Sequence, residues 1–182
     1  MTKKILLFNP WITDFTAYDF WLKPLALLQL SAWLKSCPDL AVFFIDCLDR
    51  FHPDVNRSKD RRDGRGLYPK QKISKPELLK DIPRIYSRYG LSFPAVRRQL
   101  SAIPVPDVVM ISGMMTYWYP GVQTAVELIR EKYGSVPVIS GGSYPSLVPW
   151  HARRFTGADI VVEGHWENQL RSILIDILGN RP

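Results

Sequence analysis

Apolar residues fall in five short runs, and each run closes on a turn or a glycine. The pattern predicts strands over residues 3–8, 41–45, 107–112, 136–140 and 159–162. Ile5-Leu6-Leu7-Phe8 and Val108-Val109-Met110-Ile111 do not alternate with polar residues, so these strands are covered on both faces. Between them the apolar spacing changes to three and four. Leu27, Leu30 and Leu34 predict a helix over 22–35, with Pro24 in its first turn, where a missing N–H costs nothing. Further helices are predicted over 120–133, 149–155 and 167–178. Residues 48–106 break the rhythm. Prolines and basic residues dominate there, and helices over 78–89 (interrupted by Pro83) and 93–103 are its only regular candidates.

The order β-α-β, insertion, β-α-β-α-β predicts an α/β, Rossmann-like (flavodoxin-like) five-stranded parallel sheet. Helices lie on both faces, a long insertion at about 48–106 follows strand 2, and the strand order is 2-1-3-4-5. The expectation is one domain over 1–178, with 179–182 as the start of a linker to a downstream domain.

Composition narrows the chemistry. The 182 residues are 46% hydrophobic and 23% charged, which excludes a wholly disordered chain. No apolar run approaches the roughly 20 residues of a membrane span, and residues 5–8 are too short for a signal h-region. Two scattered cysteines, Cys37 and Cys47, fit a reducing, cytoplasmic setting. They are too few for an iron–sulfur or four-cysteine zinc site. The net charge is +7, and Arg57, Lys59, Arg61, Arg62, Arg65, Lys70 and Lys72 face only Asp60 and Asp63. That segment reads as a solvated, mobile loop or as an arm for phosphate, nucleic acid or an acidic partner, with Tyr68 its one possible stacking residue.

Ligands of such sheets bind beyond the carboxyl ends of the strands. The residues there are Asn9-Pro10-Trp11, Asp46-Cys47, Ser112-Gly113-Met114-Met115-Thr116-Tyr117, Gly141-Gly142-Ser143-Tyr144 and Glu163-Gly164-His165. Glycines, small hydroxyls, methionines and aromatics suit a large, flat, partly apolar ligand better than acid–base catalysis. Plainer readings stand beside this one. Gly141-Gly142 also serves as a turn, Met114 and Met115 as core fillers, Tyr117-Trp118-Tyr119 as packing under the insertion, and Glu167 as a favourable charge at a helix start. No G-x-G-x-x-G precedes Asp46, and neither a P-loop nor a G-x-S-x-G elbow occurs.

These residues resemble the N-terminal cobalamin (B12)-binding domain of B12-binding radical SAM proteins. The likeness is carried by Ile5-Leu6-Leu7-Phe8-Asn9-Pro10, by the segment from Asp14 to Leu25, and by Ile45-Asp46-Cys47-Leu48-Asp49-Arg50. It continues through Met114-Met115-Thr116-Tyr117-Trp118-Tyr119-Pro120-Gly121, Gly141-Gly142-Ser143-Tyr144-Pro145 and Ala158-Asp159-Ile160-Val161-Val162-Glu163-Gly164. The resemblance implies a bound corrinoid, with backbone at Ser112-Gly113 and Gly141-Gly142-Ser143 on the nucleotide tail. Met114, Met115, Thr116 and Tyr144 would line the corrin side, and Asn9, Pro10, Asp46, Glu163 and Gly164 complete the set. D-x-H-x-x-G is absent, which implies base-off binding without a histidine ligand, so no metal ligand and no catalytic residue is assigned. Relatives read Gly-Glu-Gly-Glu where this chain has Gly164-His165-Trp166-Glu167. The [4Fe–4S] cluster and S-adenosylmethionine would belong to a radical SAM catalytic domain acting in cis or in trans. The alternatives are an interaction module with a vestigial cradle, or a different nucleotide-like ligand at the same strand ends.

Overall fold

The computed structural model describes residues 2–20, 23–55, 62 and 65–179. The central sheet is built from β1 (Lys3–Asn9), β4 (Leu40–Asp46), β8 (Val108–Ser112), β9 (Val138–Gly141) and β10 (Ile160–Val161). All its pairings are parallel and its order is β10-β9-β8-β1-β4, which in chain order is 2-1-3-4-5 read from the β4 edge. Ile5, Leu6, Leu7 and Phe8 are wholly buried on the central strand. Leu6 and Phe8 enter the core under α2 (Phe93–Ala102) and α3 (Tyr119–Tyr133), with Val96, Leu100, Val122 and Ile129. Ile5 and Leu7 enter the opposite core, with Leu27, Leu30 and Leu34 of α1 (Leu25–Ser36) and Leu170, Leu174 and Leu178 of α6 (Leu170–Leu178). Each of these side chains contributes about 1.5–3 kcal/mol by leaving water, so both faces of β1 hold helices.

Helix starts deviate slightly from the expected ones. Pro24 caps α1 from outside, its carbonyl accepting the Leu28 N–H. Before α6 the chain makes a 3-10 turn over Trp166–Asn168, so Glu167 lies ahead of the helix. Two short helices, α4 (Ser143–Leu147) and α5 (Pro149–Phe155), link β9 to β10.

The helix expected over 78–89 is not there. A 3-10 turn spans Glu77–Leu79, and β7 (Ser87–Tyr89) follows. Pro83 removes an N–H and disfavours helical geometry at Ile82, while Leu78 stays 96% exposed because no core reaches it. The insertion is woven into the connection that leaves β1. β2 (Ile12–Asp14) pairs antiparallel with β7, and β7 pairs with β6 (Lys70–Lys72). β3 (Tyr18–Asp19) pairs with β5 (Gly66–Leu67). Arg57, Lys59 and Arg61 of the basic segment lie outside the described residues.

Trp11 locks these layers together. Its indole Nε1 donates to the Leu91 carbonyl at 2.6 Å, and its ring stands edge-on to Phe93 at 5.2 Å. Its backbone touches the first turn of α3, where a Cβ on Gly121 would lie 1.9 Å from the Trp11 carbonyl oxygen. Gly90, at φ 120°, brings the chain beside β4, and the Leu91 N–H donates to the Cys47 carbonyl. Gly121→Ala therefore forces α3 away from Trp11. Urea denaturation is expected to show a loss of at least about 2 kcal/mol. A loss under about 0.5 kcal/mol contradicts this packing.

Candidate functional site

The strand order reverses between β1 and β8, so the chain leaves these neighbours toward opposite faces and opens a crevice at their carboxyl ends. A cavity of about 310 Å³ fills it. Asn9 forms part of its floor, Met114 and Met115 one wall, and Tyr18, Tyr68 and Lys23 another. The two methionines are 41% and 43% exposed, so they are not core fillers. Trp118 closes one side, its Nε1 donating to Asp14 Oδ2 at 2.9 Å, while Asp14 Oδ1 accepts the Phe15 N–H. Trp118 also packs against Ile12, Ala17, Tyr68 and Tyr89, as expected of an aromatic under the insertion.

A second, smaller cavity measures about 80 Å³. It lies between the sheet and helices α1 and α6, and its walls are almost wholly apolar. Ala26, Leu27 and Leu30 come from α1, Leu170 from α6, and Ser112, Ile139, Gly141, Gly142 and Gly164 from the strand ends. The two cavities draw on neighbouring parts of the same segments. Pro24 and Met114 face the wide one, and Ala26 and Ser112 the narrow one. Trp166 lines the narrow slot and leans on Trp33 of α1 with ring centroids 5.5 Å apart.

The candidate residues thus divide. Asn9, Met114 and Met115 meet in the wide cavity; Ser112, Gly141, Gly142 and Gly164 meet in the slot. The others line neither. Pro10 is buried, and Thr116 and Ser143 are exposed. Gly113 is buried with its amide hydrogen-bonded to the Gly141 carbonyl and its carbonyl to the Tyr144 N–H, so its polar groups are already used. A Cβ on Gly142, at φ 106°, would lie 2.6 Å from the Gly113 carbonyl oxygen, so this glycine serves the contact between the two loops. Tyr144 is fully buried, its hydroxyl 2.8 Å from His151 Nδ1, and burial pushes its pKa up to about 12. Glu163 pairs with Arg153.

Several wall residues lay beyond sequence reasoning. Tyr68, read as part of a charged arm, is only 7% exposed and borders the wide cavity. Its hydroxyl has no hydrogen-bond partner among the described residues, and burial, with Asp19 next in effect, raises its pKa. Behind it, Arg50 Nε donates to Asp19 Oδ2 at 2.8 Å in a nearly buried ion pair that ties β3 to the end of β4. No histidine lines either cavity, and no group of three or more His, Cys, Asp or Glu suited to a metal occurs among the described residues. No helix among those residues is long and apolar enough to cross a membrane.

Asp46 stands just behind the floor. Its Oδ1 accepts Asn9 Nδ2 at 2.7 Å and the Leu48 N–H at 2.9 Å. Burial nevertheless outweighs these bonds and raises its pKa.

Models of known protein families give no match to the chain, and comparison with curated proteins gives none either.

The folded state binds the Asp46 proton more tightly than the unfolded chain does. The carboxyl therefore favours folding when protonated, and that advantage is lost as pH rises from the ordinary value through the raised one. Asp46→Asn keeps an acceptor for Asn9 without the charge. Relative to the parent, its urea midpoint is expected to improve between pH 4 and pH 7. An unchanged or reversed difference contradicts the burial argument.

Proposed function

We propose that this chain is a cobalamin-binding domain that holds a corrinoid at the carboxyl ends of its parallel strands and acts with a radical SAM catalytic domain. The observation that carries the reading is the wide cavity at the point where the strand order reverses, together with a small apolar slot at the neighbouring strand ends. The wide one, at about 310 Å³, has the size and the mix of apolar walls with a few polar groups that small-molecule sites have. A flat macrocycle would lie over Met114, Met115 and Tyr117, with Asn9 and the Tyr68 hydroxyl offered to its amide side chains. The narrow slot, at about 80 Å³, is too small for the macrocycle and suits the nucleotide tail.

The chemistry of the walls supports a corrinoid held without a protein ligand to cobalt. His151 is engaged with Tyr144, His52 lies beside Asp54, and His165 is exposed outside both cavities. Trp166 takes one wall of the slot where the resembling proteins carry glycine, so the tail enters as that indole swings toward solvent. When bound, the corrinoid would supply methyl-transfer or radical chemistry. The protein's own residues bind it, orient it and keep water from the tail.

Gly141 provides the test. Its added Cβ would meet only Val162, at 3.9 Å, and its backbone needs no glycine. Gly141→Leu places a branched side chain at a slot-lining position whose Cβ meets no backbone, and circular dichroism checks that the variant folds. The parent is expected to bind hydroxocobalamin more tightly than cobinamide, which lacks the tail. Gly141→Leu is expected to weaken hydroxocobalamin at least about tenfold and leave cobinamide within about threefold. Equal binding of both corrinoids by the parent, or an unchanged hydroxocobalamin affinity in the variant, overturns the reading.

A further inference from the structure

The positive charge of this chain is concentrated in one place. Residues 57–88 hold eleven Lys and Arg against four Asp and Glu, an excess equal to the net charge of the whole chain; the remaining residues carry thirteen of each sign. The described part of this stretch includes the hairpin in which β6 and β7 pair. Among the described residues, Lys80 pairs with Glu77, but Lys70, Lys72, Lys75, Arg84 and Arg88 have no carboxylate within ion-pair distance. Elsewhere several cations are neutralised: Arg97 meets Glu131, Arg98 meets Asp54 and Arg130 meets Asp159.

The hairpin cations are nevertheless held in place, by neutral partners. Arg84 donates to Thr16 Oγ1 at 2.6 Å, with its guanidinium 5.6 Å from the Phe15 ring centroid. Arg88 donates to Gln71 Oε1 and lies 3.5 Å over the Phe93 ring. Lys75 Nζ donates to the Ile82 carbonyl. Bonds of this kind order a cation without cancelling its charge. The hairpin therefore presents an excess of positive charge that an anion from outside would offset.

We propose that the Lys70–Arg88 hairpin binds the phosphate backbone of a nucleic acid. Two features favour phosphate over an acidic peptide. Lys70-Gln71-Lys72 forms the outer strand of its sheet with all three side chains exposed, and lysines on an edge strand oppose the addition of a further strand. The arginines are stacked, with planar donor forks of the shape that phosphate accepts. The surface is built from residues outside the strand-end cavities, so this inference does not depend on corrinoid binding.

The test is fluorescence anisotropy of a labelled mixed-sequence oligonucleotide, as single strand and as duplex, titrated with the full chain between about 50 and 200 mM salt. With four phosphate contacts, from Lys70, Lys72, Lys75 and Arg84, log K is expected to fall against log salt with a slope of about −2.8 for the single strand and about −3.6 for the duplex. The variant Lys70→Gln/Lys72→Gln/Arg84→Gln changes solvent-facing groups, and circular dichroism checks that it folds. It is expected to bind the single strand at least about tenfold more weakly at low salt, with a slope shallower by about 2. Absence of binding at 50 mM salt overturns the proposal. So does unchanged binding by the folded variant, which would place the contact outside the hairpin. Polyglutamate bound as tightly as the oligonucleotide would assign the surface to an acidic protein and overturn it as well.

Discussion

The contact of Trp11 with Gly121 and Leu91 fixes the relation between the sheet and everything above it. β1 delivers Trp11 directly past the turn at Asn9-Pro10, with no freedom left in Pro10 φ. The indole then reaches the Leu91 carbonyl, and the backbone seats the first turn of α3. Three distant segments meet on one residue: the exit of β1, the end of the insertion and the start of the helix after β8. The crevice at the strand ends has its shape because these three cannot move independently. Met114 and Met115 lie one turn before α3, and Asn9 lies two residues before Trp11, so one wall and the floor of the wide cavity are referenced to the same anchor.

Much of the sheet was legible because its strands are buried on both faces. Runs such as Ile5-Leu6-Leu7-Phe8 have no other economical use, and the crossover rules then leave few orders to choose from. The insertion was not legible for the opposite reason. Its strands are two or three residues long, and β6 reads Lys-Gln-Lys with no apolar member. Such a strand exists through its pairing with β7, which depends on β2, a segment that precedes it by more than fifty residues. Local pattern carries no trace of that partnership.

The site was half legible. The strand-end rule located Asn9, Ser112, Met114, Met115, Gly141, Gly142 and Gly164, because a parallel sheet places those positions at one edge whatever its loops do. It could not say which of them face a cavity. Gly113 and Tyr144 sit in the same loops, yet the hydrogen bonds between those loops draw both inward. Tyr68 went the other way. Its sequence neighbours are charged, but β5 pairs with β3 and turns it under the wide cavity. Side-chain direction at loop positions is a tertiary property, and it decided which residues line the cavities.

The acids near the wide cavity are engaged, Asp14 with Trp118 and Asp46 with Asn9, and no histidine among the described residues lines it. Under the proposed reading, the domain would present a cofactor and a partner would carry out the reaction. The most direct measurement is gel filtration of the purified chain after incubation with hydroxocobalamin, with an absorbance spectrum across the protein peak. The account predicts that cobalamin co-elutes with the folded chain and shows a base-off spectrum. A colourless peak of folded protein, or co-eluting cobalamin that remains base-on, would contradict it.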